Sequence, residues 1–242
     1  MQRRGERQFP LTLDQIKGAH LNRYVWARDI VSDRDDVIDA GCGVGYGSTV
    51  LAERVASVVG MDVSLETVSL AKHYWKHPKV RFLHRELHGF TSAASFSSVV
   101  AFEVIEHLVL PELFLLRVRK EIGPGGTIFI SSPNSNVKAH SVAKNPFHIR
   151  HYTAQELRQM LVACGFNVIG TFSQSGSEEI RHTPDDADGK IVICAGIVDP
   201  YYEMDRLAIG HLTGLLPQKF QDAMIDRCRA IRVAQGVKDA AP

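Results

Sequence analysis

Glu103, Glu106 and His107 fall within the five residues EVIEH, and His148 and His151 follow further along the chain. Carboxylates and imidazoles at this density support two kinds of chemistry. If the stretch turns helically, positions 103, 106 and 107 share one face, as i, i+3 and i+4 do. With His148 arriving from a downstream loop, these four side chains would then offer a ligand set for a hard or borderline divalent ion. Without an ion, His107 and His148 are candidate general bases for a proton leaving an acceptor hydroxyl, with Glu103 beside them. In a third reading, Glu103 and His107 only orient the backbone and a bound ligand.

A second group of residues describes that ligand. Residues 36–40, DVIDA, read as a short buried strand, and Gly41, Gly43, Gly45 and Gly47 lead from it into a helical pattern near Thr49. Glycine lets a backbone lie flat under a bound molecule with no Cβ in the way. A pyrophosphate turn would follow G-x-G-x-x-G, but counting from Gly41 the sixth position is Tyr46. Asp39, two residues before the first glycine, instead suits a ligand carrying an amino group. Residues 58–62, VVGMD, read as a second strand ending in Asp62, where sheets of this topology grip a ribose diol.

In this order, VIDAGCGVGYGS, VVGMDVS, VVAFEVIEHL, IGPGGTIFISSPN and PFHIRHYTAQEL resemble the landmarks of class I S-adenosylmethionine-dependent methyltransferases, over residues 10 to 198. The resemblance implies an α/β, Rossmann-like fold: a seven-stranded, mostly parallel sheet with an antiparallel last strand and helices on both faces. It implies S-adenosylmethionine as cofactor, bound by Asp39, Gly41, Cys42 and Gly43 in the turn and by Asp62 and Val63 after the second strand. Glu86 would take the adenine amino group, Leu87 would close over the ring, and Phe102 would line the pocket. The form AHLNRYVWA implies that His20, Arg23 or Tyr24 reaches the methionine end.

EVIEH with a later histidine is similar to metal-dependent O-methyltransferases of ubiquinone biosynthesis and to small-RNA 2′-O-methyltransferases. Many relatives with EVIEHL work without metal, so a divalent ion held by Glu103, Glu106, His107 and His148 is the alternative to a metal-free base. NPFHIRHYT is similar to bacterial methyltransferases of sugars and of glycan or lipid-linked precursors, with His151 where their pattern has Glu. A hydroxyl of a small molecule or saccharide is therefore the expected acceptor. The alternatives are RNA 2′-O-methylation, N-methylation of an amino sugar or other small amine, and a non-catalytic cofactor-binding subunit.

The remaining pattern predicts helices over residues 11–31 and 65–73, another from Pro111 stopped at Gly123, and one opened by a Thr153–Glu156 capping box. Further strands are expected over residues 80–84, 99–104, 127–132, 167–172 and 190–198. Residues 133–152 lack periodicity and read as a lid carrying Lys138, His140, Lys144, Asn145, His148, Arg150 and His151. With 242 residues, one domain is expected: residues 1–198 with an N-terminal helical cover, and 199–242 as its helical extension. Phe220, Met224, Cys228 and Ile231 recur at helical spacing there, covering the domain's own core or a homodimer contact. Basic and acidic residues number 28 and 27, so no global field recruits nucleic acid or a membrane surface. The four cysteines form no C-x-x-C pair, which points to a reducing cytoplasm, and no apolar run is long enough to span a bilayer.

Overall fold

The structure is a computed structural model that describes residues 10, 12, 15, 16, 18–87, 96–139, 141, 145–176, 179–183 and 189–199. The expected terminal helix around Phe220 to Ile231, most of the 199–242 extension, His140 and Lys144 lie outside the described residues.

Short apolar segments bounded by glycine, proline and polar residues form the strands: β1 (Asp36–Ala40), β2 (Ser57–Asp62), β3 (Val80–His84), β4 (Ser98–Phe102), β5 (Thr127–Pro133), β6 (Phe166–Gln174), β7 (Arg181–His182) and β8 (Ile191–Val198). They make one sheet in the order β3-β2-β1-β4-β5-β8-β6-β7. The first five strands pair in parallel, whereas β8 runs antiparallel to both β5 and β6. Seven strands match the sequence reading. The eighth, β7, is a two-residue edge strand at Phe172↔His182 and Ser173↔Arg181, too short and too polar to leave a periodic signal.

Because successive side chains of a strand point to opposite faces, the sheet has two cores. Ile38, Val59, Val99, Ile128 and Cys194 pack with Phe114 and Leu115 of α4 (Pro111–Ile122) and Leu157 and Leu161 of α5 (Ala154–Ala163). Val37, Val58, Val100, Phe129 and Ile193 face Tyr24 and Ala27 of α1 (Gly18–Ile30), Leu51 of α2 (Tyr46–Ala52) and Val68 of α3 (Leu65–Tyr74). Asp39 has the parity of Val37. It therefore points toward α1 and α2.

The helix boundaries follow local chemistry. Thr153 and Glu156 form the expected capping box, and Pro111 occupies the first turn of α4. α2 starts at Tyr46, earlier than expected, because Gly45 turns left-handed at φ 97° and delivers the chain directly into the helix. α1 starts at Gly18 rather than at residue 11. Ser97, just before β4, accepts a hydrogen bond from the Asp36 backbone N–H at 3.0 Å and so ties the start of β1 to that of β4.

β8 ends with Val198 beside Phe166, and the Asp199 N–H donates to the Gly165 carbonyl. Since β8 is antiparallel, this is the edge of the sheet opposite the carboxyl ends of β1, β2 and β4.

The packing of α1 on α2 depends on Gly47, where a Cβ would lie 2.2 Å from the Tyr24 ring. Overpacking of this kind costs about 1–3 kcal/mol, more than the roughly 1 kcal/mol gained by replacing a glycine inside a helix. Gly47→Ala should therefore destabilise the protein in denaturant unfolding, but stabilise it in a Tyr24→Ala background, where the ring is gone.

Candidate active site

The glycine turn is tied to β2 by its backbone. The N–H groups of Gly41 and Cys42 both donate to the Met61 carbonyl, at 2.8 and 2.9 Å. Gly43 N–H donates to Asp62 Oδ2 at 3.0 Å, while Ser64 N–H (2.8 Å) and Thr67 Oγ1 (3.3 Å) donate to Oδ1. Asp62 is thus fixed at the carboxyl end of β2 before any ligand arrives. Gly43 has φ 55°, and a Cβ built on it meets nothing within 4 Å among the described residues, so these leave the turn open there. At Gly41 a Cβ would collide with Val104. Cys42 is buried in the turn.

Beneath the turn lies Asp39, fully buried. Its carboxylate accepts from the Tyr24 hydroxyl of α1 at 3.0 Å and the Ser48 hydroxyl of α2 at 2.6 Å. Burial pushes its pKa up to about 6; the hydrogen bonds from Ser48 and Tyr24 oppose the shift and the Asp62 charge adds to it. Phe102 packs edge-on behind Tyr24 at 5.3 Å between ring centroids. The Tyr46 hydroxyl lies 2.5 Å from His20 Nδ1. Burial, with help from Arg23, lowers the His20 pKa to about 3, which keeps this imidazole neutral.

Arg23 is itself 3% exposed and donates from Nη1 to Gln174 Oε1 at 2.7 Å, while Gln174 Nε2 returns to the Ala19 carbonyl. Among the described residues the Arg23 Nε has no hydrogen-bond partner and the guanidinium makes no ion pair. Val63 and Glu86 are exposed and Leu87 is buried, all three near the ends of β2 and β3.

The second half of the site lies past the carboxyl end of β4. Glu103 ends that strand with φ 56°, the one positive φ among the described non-glycine residues. Such a conformation costs about 1–3 kcal/mol and persists only when the surroundings impose it. Here Ser131 imposes it: its Oγ accepts from Glu103 N–H and donates to Glu103 Oε1, both at 3.0 Å. This backbone reversal, followed by a 3-10 turn at Ile105–His107, means that 103, 106 and 107 do not share one helical face. Glu106, His107 and His148 instead form the cluster, with one ligand atom from each lying within 4.8 Å of the others. Glu103 stays outside it.

The stretch expected as a lid is fastened to this turn. Ile149 N–H donates to the Glu106 carbonyl at 2.8 Å, and His107 Nδ1 donates to the Phe147 carbonyl at 2.9 Å. The His107 and His148 rings stand perpendicular, 4.6 Å apart. Behind His148, its Nδ1 is 2.7 Å from His151 Nε2, and His151 Nδ1 is 2.8 Å from the Lys138 carbonyl. A buried carboxylate beside two imidazoles can hold a divalent ion, or orient and support an imidazole that takes up a proton.

Sequence reasoning missed Ser48, Ser131 and Gln174. Ser48 had a signal, since it follows the turn on the face toward Asp39. Ser131 and Gln174 reach their partners only through tertiary pairing.

The sheet order, the open glycine turn and the acid closing β2 define a class I S-adenosylmethionine-dependent methyltransferase fold. The chain belongs to the methyltransferase-domain family, which matches residues 19–171 and so includes both halves of the site. It is 35% identical, over 61% of its length, to a probable S-adenosylmethionine-dependent methyltransferase of Mycolicibacterium smegmatis, covering 60% of that protein. It is 36% identical over 44% of its length to a ubiquinone biosynthesis O-methyltransferase of Rhizobium johnstonii, covering 44% of it. The chain thus spans less than two thirds of these relatives. Its fold also matches the N-methyltransferase NodS of Bradyrhizobium japonicum, solved with S-adenosyl-L-homocysteine: TM-score 0.55, 15% identity, 78% of this chain and 88% of that one.

The Asp39 pKa carries a sign that can be tested. With a folded value near 6 against an ordinary 3.8, the shift favours folding below pH 4, and this contribution is lost as pH rises through 6. The difference is about 3 kcal/mol, at 1.36 kcal/mol per pKa unit. Relative to Asp39→Asn, the ligand-free protein should lose most of that unfolding free energy between pH 4 and pH 7, measured by denaturant titration across that range.

Proposed function

We propose that this chain transfers the methyl group of S-adenosylmethionine to a hydroxyl of a small molecule or saccharide. One observation carries the reading. The pinned Gly43–Asp62 turn and the His107–His148 pair both lie at the carboxyl edge of the parallel strands, where open sheets bind their ligands.

The residues present fit the cofactor. The open space over Gly43 leaves room for its amino acid portion, and Asp62 stands where a ribose diol is gripped. Asp39 supplies negative charge toward the amino group, while Arg23 brings a buried guanidinium to a carboxylate. Glu86, Leu87 and Val63 are placed to meet the adenine end, and Tyr24 backs the methionine end with Phe102 behind it. When bound, the cofactor supplies a sulfonium methyl whose carbon–sulfur bond breaks as the acceptor oxygen bonds to carbon, the acceptor releasing one proton. Either His107 or His148 takes that proton, and Glu103, locked by Ser131, orients the acceptor.

A second reading has its own support. Glu106, His107 and His148 offer three ligand atoms within 4.8 Å, a set suited to a divalent ion that would lower the acceptor's pKa in place of a base. Chelation separates the two. Under the first reading, activity withstands a chelator and falls in His107→Ala and His148→Ala. Under the second, chelation silences the enzyme and added magnesium, manganese or zinc restores it. Full activity in both histidine variants would point to an amine acceptor that needs no base.

The acceptor is tested by incubating the protein with isotopically labelled cofactor and panels of sugars, phenols, amines and RNA, then reading products by mass spectrometry. Label on an oxygen of a small hydroxyl compound is the expected result, and label confined to RNA or amines would overturn it. For the cofactor, Asp62→Ala should weaken binding by roughly 1–3 kcal/mol in calorimetry, the range for a lost hydrogen bond to a charged group. Arg23→Leu should erase the preference for S-adenosylmethionine over its decarboxylated form. If Arg23 serves only to join α1 to Gln174, that preference should persist in the variant.

A further inference from the structure

His148 can act as a base or a ligand only through a nitrogen with a lone pair, and which nitrogen that is depends on the residues behind it. A carbonyl oxygen only accepts, so the 2.8 Å contact between His151 Nδ1 and the Lys138 carbonyl places a hydrogen on that nitrogen. In the neutral ring, His151 Nε2 is then an acceptor. It lies 2.7 Å from His148 Nδ1, which must therefore donate. The lone pair of neutral His148 is left on Nε2. His107 reaches the same tautomer in one step, by donating Nδ1–H to the Phe147 carbonyl at 2.9 Å.

We propose that His151 is a positioning residue that holds His148 as its Nδ1–H tautomer and so makes Nε2 the nitrogen His148 offers beside Glu106 and His107. The proposal deepens the reading of His148 given above and rests on it for its effect on the reaction. His148 and His151 are both 4% exposed, so water does not readily replace either partner. The relay Lys138 carbonyl, His151, His148 works only in this direction for neutral rings, because reversing it would set the bare Nδ1 lone pair of His151 against the lone pairs of the Lys138 carbonyl. The Lys138 carbonyl is the fixed end: the Lys138 N–H is itself held by the Asn134 carbonyl at 2.8 Å, and Asn134 bridges to Tyr152 immediately after His151. The partners behind such rings typically tune affinity or activity about 10- to 100-fold.

The test reads the tautomer directly. In the full chain labelled with nitrogen-15 histidine, long-range proton–nitrogen correlation spectra assigned with His148→Gln should show His148 protonated at Nδ1 and unprotonated at Nε2. In His151→Leu the ring should lose that preference. In His151→Glu, whose carboxylate accepts the same hydrogen, it should return. With the acceptor identified by the product panel, turnover should fall about 10- to 100-fold in His151→Leu with cofactor Kd unchanged, and recover in His151→Glu. A wild-type His148 protonated at Nε2, or a tautomer indifferent to His151→Leu, overturns the proposal, and the wild-type spectrum decides even if the leucine variant fails to fold. A tautomer that responds as expected while turnover does not change supports tautomer control by His151 and overturns the role of His148 in the reaction.

Discussion

The first half of this structure is arranged around a carboxylate sealed inside it. Asp39 sits at the end of β1 with no water to solvate it, and its two oxygens are served by one hydroxyl from α1 and one from α2. An uncompensated buried charge costs several kcal/mol, and the two hydroxyls offset only part of that cost, which is why the Asp39 pKa stays raised to about 6. Docking of the two helices also brings Tyr46 against His20 and sets Tyr24 against Phe102. Asp62, close enough to raise the Asp39 pKa, is solvated differently, by backbone N–H groups of the glycine turn and of the start of α3. Two like charges thus share one turn, while the buried Arg23 joins α1 to β6 through Gln174.

The other half relies on backbone geometry more than on charge. The left-handed turn at Glu103 ends β4 and aims the chain into the 3-10 turn that carries Glu106 and His107. Residues 145–152 then join that turn through one bond between backbone groups, Ile149 N–H to the Glu106 carbonyl, and one from the His107 side chain to the Phe147 carbonyl. The loop offers only backbone atoms to both bonds, and its own side chains enter through the contact of His148 with His151.

The landmarks with local causes were legible in the sequence. The glycine turn, the Thr153–Glu156 box, the proline that opens α4 and the apolar strand runs each act over a few residues, and each appears where expected. What was not legible came from pairing at a distance. Helical spacing put Glu103 with Glu106 and His107, yet Ser131, arriving from β5, turns it away. Arg23 and Gln174 are 151 residues apart in the chain, and no pattern in either segment announces their contact. The supposed lid lacked periodicity because its order comes from bonds to other segments rather than from repeats of its own. The relay behind His148 was invisible for the same reason, although His151 itself stood out as a departure from the expected glutamate.

The antiparallel course of β8 has a practical corollary. Strands that end at the ligand edge deliver their following loops to the substrate, but β8 delivers the chain to the opposite edge, beside Gly165 and Gly126. Asp199 therefore stands at the far end of the strands from the glycine turn and the His107–His148 pair. For anchoring the protein to a sensor surface or a resin, the edge that carries Gly126, Gly165 and Asp199 is the one to hold, since a tether placed there would leave the carboxyl edge facing solution.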